Sequence, residues 1–325
     1  MGITIYDVAT GANVSPATVS RVLAGGNSVA PATAARVQEV IERLGYKPDR
    51  VAQSLRRQRS GSIGLILPME SHPCAGAIIA RLSTRLSERD LSLTMVNCEQ
   101  SPMGPSVDLL LAQRVDGLII VNNRPSVEIP TSAAAEVPVI ALDSGADNEA
   151  VDRVRIDHAG GVAQAVRFLV REGAERLAYI GEGATSVIGA QQLDGYASAT
   201  SEFETKQVAL RLGPPTAQFA WAELERLRAG DEPPDAYVCG SDTVATAING
   251  ALPPTADDDR ERPFIVGYGA QPWVPLMRPT LTTVRLPIED LVDEALRVMD
   301  QRLGGLQVDP IDIALPPHLI LGDTS

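Results

Sequence analysis

Apolar side chains in the first fifty residues recur at the spacing of amphipathic helices. The first stripe consists of Ile5, Val8, Ala9 and Ala12. Thr4, with Asp7 three residues later, has the pattern of a capping box, in which side-chain oxygens satisfy the free amides of a helix start. We therefore expect a short helix that begins after Thr4, with Gly11 near its end, where the chain must reverse.

Two further helices are predicted before residue 46. Ser15 precedes Pro16, and this pair is a strong helix-start signal because the hydroxyl caps free amides and proline suits the first helical position. The pattern predicts a second helix over residues 16–23 and a third over residues 31–44, which Gly45 ends. The side chains expected to face inward are Val19, Val22, Leu23, Val37, Val40, Ile41 and Leu44. Two short helices joined by a tight turn are typical of a DNA-reading pair, although a generic three-helix domain has the same stripes.

The rest of the chain alternates short apolar runs with helical stretches. The apolar runs are residues 63–67, 93–96, 117–121, 139–142, 177–181, 236–239 and 264–268. Helical spacing appears between them, for example over residues 78–89 and 163–172. This alternation predicts parallel sheets covered by helices on both faces, and the series is long enough for two such sheets. Ligands bind beyond the carboxyl ends of the strands in folds of this kind.

Charge separates the first sixty residues from the remainder. They contain eight Lys and Arg against four Asp and Glu, a net charge of +4, whereas the whole chain has −13. A basic module on an acidic protein indicates a local binding surface for phosphate. No apolar stretch approaches the roughly 20 residues of a membrane span. The polar start and the three cysteines without metal-ligand spacing lead us to expect a cytoplasmic protein with reduced thiols and no signal peptide.

The amino-terminal pattern resembles the LacI/GalR (lactose-repressor) family of bacterial transcriptional regulators. The family motifs T-I-x-D-V-A and V-S-x-x-T-V-S-R-V-L appear at residues 4–9 and 14–23, with Ala24 where the family usually has Asn. The resemblance extends along nearly the whole chain. It implies a small all-α helix-turn-helix DNA-binding domain plus an α/β two-lobed, periplasmic-binding-protein-like core with parallel sheets. The implied divisions are the helix-turn-helix domain at 1–46, a hinge helix or linker at 47–60, and the effector-binding and dimerisation core at 61–325. Within the core, one lobe is expected at about 61–155 and 285–315. The other is expected at about 156–284 and 316–325.

The family resemblance also implies a DNA-binding surface. The second helix would enter the major groove of double-stranded operator DNA, in a homodimer or tetramer that represses transcription from a pseudo-palindromic site. Arg21 would contact a base edge or a phosphate, while Pro16 and Ala17, both small or apolar, would meet thymine methyl groups or leave room for the bases. In the hinge, Ala52 would allow close approach of two copies and Leu55 would wedge between base steps. The other expected DNA contacts are Thr4, Tyr6, Ser15, Thr18, Ser20, Asn27 and Arg50.

Two positions of the expected effector cleft depart from the sugar-responsive members of the family. Gln192 stands where those members usually have an Arg, and Gly269 stands where they have an Asp. Because both bidentate partners for sugar hydroxyls are lost, we expect a typical monosaccharide to bind poorly. The other expected effector positions are Ser71, His72, Cys74, Ser144, Asp157, Trp221 and Asp242. Trp221 could equally be ordinary packing, and Asp157 is favoured as a helix cap.

The sequence leaves alternatives open for the ligand and for the class of function. The cleft is expected to hold an atypical small molecule, such as a less hydroxylated, modified or phosphorylated one; a protein partner or no ligand are the other outcomes. The rival class is a solute-binding protein with the same two lobes, which would need an export signal and no basic module. An enzyme would need a catalytic group, and the three histidines and the Asp257–Asp259 run form no catalytic or metal-binding pattern. We expect no catalytic residue, no cofactor, no metal and no membrane contact.

Overall fold

Three helices make up the described part of the amino-terminal unit, which comprises residues 1–60. They are α1 (Ile5–Ala12), α2 (Pro16–Leu23) and α3 (Pro31–Leu44). The predicted bounds of α2 and α3 are confirmed, and Gly45, at a φ of +63°, ends α3. The computed structural model describes residues 3–23, 29–46, 59–68, 72–98, 103–125, 129–145, 151–203, 206–252, 262–306 and 308–325.

Local side-chain hydrogen bonds begin the first two helices. The Thr4 backbone N–H and hydroxyl both donate to Asp7 Oδ2, at 2.8 and 2.7 Å. The Thr18 N–H donates to Ser15 Oγ at 3.1 Å, as the cap prediction requires. The reversal after α1 uses Asn13, at a φ of +52°. Gly11 has another use, because an added Cβ would lie 2.9 Å from a methyl carbon of Val40; its lack of a side chain lets α1 approach α3.

Residues 61–325 form the second unit, and its first sheet has six parallel strands in the order β11-β5-β4-β3-β1-β2. The strands are β1 (Ser62–Leu67), β2 (Ser92–Asn97), β3 (Gly117–Val121), β4 (Val139–Leu142), β5 (Asp152–Ile156) and β11 (Asp312–Leu315). The connecting helices are α4 (Ala75–Ser87), α5 (Met103–Ala112) and α6 (Thr131–Glu136). Every residue of β1, β3 and β4 is buried, which explains their uninterrupted apolar sequences.

The second sheet has the order β12-β10-β9-β8-β6-β7, with only β12 antiparallel to its neighbour. Its strands are β6 (Arg176–Gly181), β7 (Lys206–Leu212), β8 (Ala236–Cys239), β9 (Phe264–Gly269), β10 (Thr282–Arg285) and β12 (His318–Ile320). Its helices are α7 (His158–Arg171), α8 (Val187–Thr200), α9 (Ala217–Arg228) and α10 (Asp242–Ala251). The expected two-lobed α/β core with parallel sheets is therefore confirmed.

The chain passes between the two sheets three times. It leaves the first sheet after β5, returns after β10, and leaves again between β11 and β12. On its return it forms α11 (Ile288–Leu303), which packs against α4, β4 and β5. Each lobe is thus completed by chain that arrives from the other. None of the helices within the described ranges is long and apolar enough to span a bilayer.

Candidate DNA-recognition helix and effector cleft

Helix α2 presents a face of small and polar side chains to solvent. Val19 is fully buried, whereas Ala17 and Arg21 are exposed and Pro16 and Ser20 are half-buried. These four side chains lie at positions i, i+1, i+4 and i+5, so they share one side of the helix. No carboxylate in the described part of the chain pairs with Arg21. Its guanidinium is therefore available for an external acceptor.

The neighbouring predicted contacts have structural roles as well. Ser15 Oγ lies 2.9 Å from Thr18 Oγ1 and caps α2. Tyr6 is 69% exposed on α1. Asp7 takes both polar hydrogens of Thr4, and these bonds hold the pKa of its carboxyl below its ordinary value. Four predicted DNA contacts, Asn27, Arg50, Ala52 and Leu55, and one predicted effector contact, Ser71, lie outside the described residues.

A cavity of about 390 Å³ lies at the carboxyl ends of the strands of the second sheet. Three of the predicted effector residues line it: Gln192, Asp242 and Gly269. The sequence did not single out the other lining residues, which include Glu182, Pro215, Tyr268, Gln271 and Trp273. Tyr268 lies near the carboxyl end of β9, and the others follow the carboxyl end of a strand. That placement is the signal that could have found them.

Gln192 is committed to the protein at both ends of its amide. Its Oε1 accepts from the Tyr179 hydroxyl at 2.9 Å, and its Nε2 donates to the Gly240 carbonyl at 3.1 Å. The side chain is 2% exposed. Gln192 therefore shapes the wall of the cleft and joins α8 to the ends of β6 and β8.

Asp242 is also bonded within the protein. Its Oδ1 accepts from Thr283 Oγ1 at 2.6 Å, and its Oδ2 accepts from the Gln271 N–H at 2.7 Å. Burial raises the pKa of this carboxyl, and the hydrogen bonds offset that rise only in part. Gly269 has a φ of +125°, and an added Cβ would lie 3.3 Å from Asp242 Oδ2. An aspartate at position 269 would therefore be strained in this loop.

A buried network that joins the two lobes includes one predicted effector residue, His72. His158, at the start of α7, places Nε2 3.1 Å from Asp143 Oδ1 and Nδ1 2.6 Å from the hydroxyl of Tyr268. A carboxylate only accepts, so Nε2 carries a proton and donates to Asp143, while Nδ1 shares a hydrogen bond with the Tyr268 hydroxyl. Burial alone would raise the pKa of Asp143, but the neighbouring His158 and His72 hold it well below its ordinary value. His72 Nε2 lies 3.6 Å from Asp143 Oδ2.

The remaining predicted residues lie close to this network. The Cys74 N–H donates to His72 Nδ1 at 3.3 Å, and burial raises the pKa of the Cys74 thiol to about 12. Ser144 is buried directly after Asp143. Asp157 Oδ1 accepts from the Gly160 N–H at 2.9 Å and so caps α7. None of these four positions is among the residues that line the cavity.

Trp221 lies elsewhere on the second lobe. It is on α9, its Nε1 donates to the Ala247 carbonyl at 3.0 Å, and its ring lines a separate cavity of about 870 Å³ between α9 and α10. Near α9, the residue that lines the cavity of about 390 Å³ is Pro215, just before the helix. Trp273 lines both cavities, whereas Trp221 lines only the larger one.

Hydrogen bonds to Asn123 also bridge the lobes. The Val187 N–H donates to the Asn123 carbonyl at 2.9 Å, and the Ile188 N–H donates to Asn123 Oδ1 at 3.0 Å. Asn123 follows β3 of the first sheet, whereas Val187 begins α8 of the second lobe. The two lobes therefore meet along one side of the cleft.

Comparisons with known proteins agree with this architecture. Residues 60–254 match the periplasmic binding proteins and sugar binding domain of the LacI family, and residues 4–49 match the bacterial regulatory proteins of the lacI family. Catabolite control protein A of Priestia megaterium is 29% identical over 329 residues, which cover 98% of each chain.

Two solved structures extend the comparison to three dimensions. The lac repressor dimer bound to operator and the anti-inducer ONPF is 26% identical, with a TM-score of 0.82 over 100% of this chain and 99% of that one. The complex of the transcriptional regulator CelR with cellobiose is 26% identical, with a TM-score of 0.68 over 99% of this chain and 100% of that one.

A helix-turn-helix unit followed by a two-lobed core with a cleft defines a DNA-binding transcriptional regulator. The chain belongs to the LacI family of bacterial regulatory proteins, since the two family matches together span most of its length.

Proposed function

We propose that two copies of this chain bind a pseudo-palindromic operator as a cytoplasmic repressor, and that a small molecule in the cleft changes its affinity for DNA. The observation that carries the proposal is the outward face of α2, which presents Ala17, Ser20 and Arg21 on a unit of net charge +4. The lac repressor neighbour is a dimer on operator DNA, and the CelR neighbour holds cellobiose. We extend these two kinds of ligand, operator and small molecule, to this chain.

The proposed DNA contacts divide into base readout and positioning. Arg21 contacts a base edge or the backbone, and Pro16 and Ala17 meet thymine methyl groups in the major groove. Positioning on phosphates is assigned to Thr4, Tyr6, Ser15, Thr18, Ser20, Asn27 and Arg50. Ala52 and Leu55 are assigned to the minor groove, where an inserted leucine bends the duplex.

The cleft residues divide similarly. We assign Gln192, Asp242 and Gly269 to the wall of the effector site, because they line the cavity. We assign a supporting role outside the cavity lining to His72, Cys74, Ser144 and Asp157. Ser71 completes the expected set. For Trp221 we favour packing between α9 and α10, since its ring faces the other cavity. We assign no catalytic step to any of these groups.

The proposal is tested by selecting fragments of the source genome that bind the purified full-length protein in the presence of excess nonspecific DNA. We expect recovered fragments to share an inverted repeat with half-sites about one helical turn apart. Nuclease footprints on one fragment should cover both half-sites. Recovery of random fragments, with and without pooled metabolites, would contradict the proposal. A shared motif without inverted symmetry would contradict the dimer alone.

A further inference from the structure

We infer that the cleft of the second lobe takes a small organic cation, an ammonium or guanidinium group on an apolar or ring-shaped body, and disfavours anions. This inference rests on the proposed function, since it names the chemical class of the effector.

The charge of the cleft wall is the first observation. Glu182 and Asp242 are its charged side chains, and no Lys, Arg or His lines it within the described residues. Among residues 61–325 whose side chains are not described, only two are basic: Lys206, at the start of β7 and so away from the carboxyl ends of the strands, and Arg260, in the segment 253–261. That segment joins the end of α10 to the start of β9, whereas the cleft lies at the other end of β9. An anionic ligand would therefore meet carboxylates without a compensating cation.

Glu182 is the carboxylate that remains available to a ligand. Asp242 already accepts from Thr283 and Gln271, and Gln192 uses both ends of its amide within the protein. Glu182, just after β6, is half-buried, and its Oε2 accepts one hydrogen bond from Ser186 Oγ at 2.8 Å. No cation pairs with Glu182 in the described part of the chain. A half-buried carboxylate with spare acceptor positions is best satisfied by a charged donor.

The rest of the wall determines the body of the ligand. Half of its side chains are apolar or aromatic, and they are those of Pro73, Ile188, Pro215, Tyr268, Trp273 and Leu286. A volume of about 390 Å³ suits a small molecule. The indole of Trp273 can also attract a cation through its ring face. Sugar phosphates and carboxylates lack a partner here, because their charge would be repelled by Glu182 in a site of reduced dielectric.

The first test uses three ligands with the same phenyl body: 2-phenylethylamine, 2-phenylethanol and phenylacetate. Binding is followed through Trp273 in full-length Trp221→Phe, where Trp273 is the sole tryptophan. At pH 7.5 and constant ionic strength we expect the amine to bind on the order of tenfold more tightly than the alcohol, and phenylacetate more weakly than both. Adding Glu182→Gln should lower the affinity for the amine to that for the alcohol. Glu172→Gln, an exposed carboxyl at the end of α7, should leave the order unchanged.

A second measurement needs no bound ligand. Caesium and iodide both quench the fluorescence of exposed indoles, but caesium is a cation and iodide is an anion. The ratio of their quenching constants for Trp273 therefore reports the local electrostatic potential. We expect this ratio to exceed that of free N-acetyltryptophanamide several-fold and to fall in Glu182→Gln.

The inference is overturned if phenylacetate binds as tightly as the amine or if the preference for the amine survives Glu182→Gln. It is also overturned if no phenyl ligand binds while the caesium-to-iodide ratio equals that of the free indole. Neither measurement involves DNA, so failure here leaves the operator proposal standing, and failure to select operator fragments leaves these titrations informative.

Discussion

Arg21 is the only basic residue of α2, and its side chain is exposed without an internal partner in the described part of the chain. We predict that Arg21→Ala weakens specific operator binding by about 1–3 kcal/mol, because a base or phosphate contact is lost. Gel-shift titration on a selected fragment measures the change. Arg43→Ala, which removes an exposed cation from α3, is the matched control and should have a smaller effect. Equal affinity of Arg21→Ala and the parent protein would remove Arg21 from the readout.

A substitution at Asp157 can distinguish a structural role of this residue from a ligand contact. Because its Oδ1 caps α7 through the Gly160 N–H, we predict that Asp157→Ala lowers the free energy of unfolding by about 1 kcal/mol. Asp157→Asn keeps an oxygen that can cap, so it should restore most of the loss in urea unfolding. If both variants were as stable as the parent, the cap would contribute nothing and a ligand contact would become the better explanation.

Single residues also show where sequence reasoning reached its limit. The Thr4–Asp7 pattern and the Ser15–Pro16 pair were sufficient to predict two helix starts, because a cap depends only on neighbours in sequence. Gly11 was expected near a reversal, yet Asn13 adopts the left-handed conformation and Gly11 serves the contact with α3. A close approach between helices depends on distant residues, and no local pattern reports it.

At the level of elements, Asp293 ties α11 to α4. Its carboxylate accepts from Arg85 at 2.7 and 2.8 Å and from Arg81 at 2.7 Å, and these bonds, those of Arg85 first, lower its pKa from 3.8 to about 2. The carboxylate therefore stabilises the fold fully above pH 3.8, and its contribution is lost as the pH falls towards 2. The side chain is 37% exposed, so after allowance for solvent screening we predict that Asp293→Asn costs only about 1 kcal/mol at neutral pH.

Urea unfolding between pH 7 and pH 2.5 measures this dependence. The difference between Asp293→Asn and the parent should shrink below pH 4, while Asp290→Asn, an exposed neighbour on α11, should behave like the parent throughout. A difference that is constant across the whole range would show that the carboxylate is not the titrating group.

Elements differed in how well sequence predicted them. The central strands β1, β3, β4 and β8 are fully buried, so their apolar runs stand out from the rest of the chain. The edge and near-edge strands β5, β7, β11 and β12 mix polar with apolar residues and were not predicted, because their pairing partners, not their composition, make them strands. The side of α9 on which Trp221 lies was equally undetermined, since a ring on either side of a helix fits the same spacing.

At the level of the whole molecule, Tyr268 and His158 connect the lobes through Asp143. We predict that Tyr268→Phe lowers stability by about 1–2 kcal/mol, because His158 Nδ1 loses its hydrogen-bond partner inside the protein. The Val187 and Ile188 amides, which donate to Asn123 of the other lobe, should then exchange their hydrogens faster. Tyr237→Phe, at a buried tyrosine of β8 in the same sheet, is the control. Unchanged exchange at both amides in Tyr268→Phe would show that the network does not hold the lobes together.

The late position of β11 in the chain affects how the protein is made. β5 spans residues 152–156, but its outer neighbour is translated only at residues 312–315. At about 5–20 residues per second, a ribosome leaves that strand edge uncovered for roughly ten to thirty seconds. An open edge invites pairing with other nascent chains, and charged side chains discourage it. Arg153 and Arg155 lie on this strand, and both bond to Asp312 of β11 in the finished protein. The two guanidinium groups that place charge on this edge are thus the groups that bond to the strand that finally covers it.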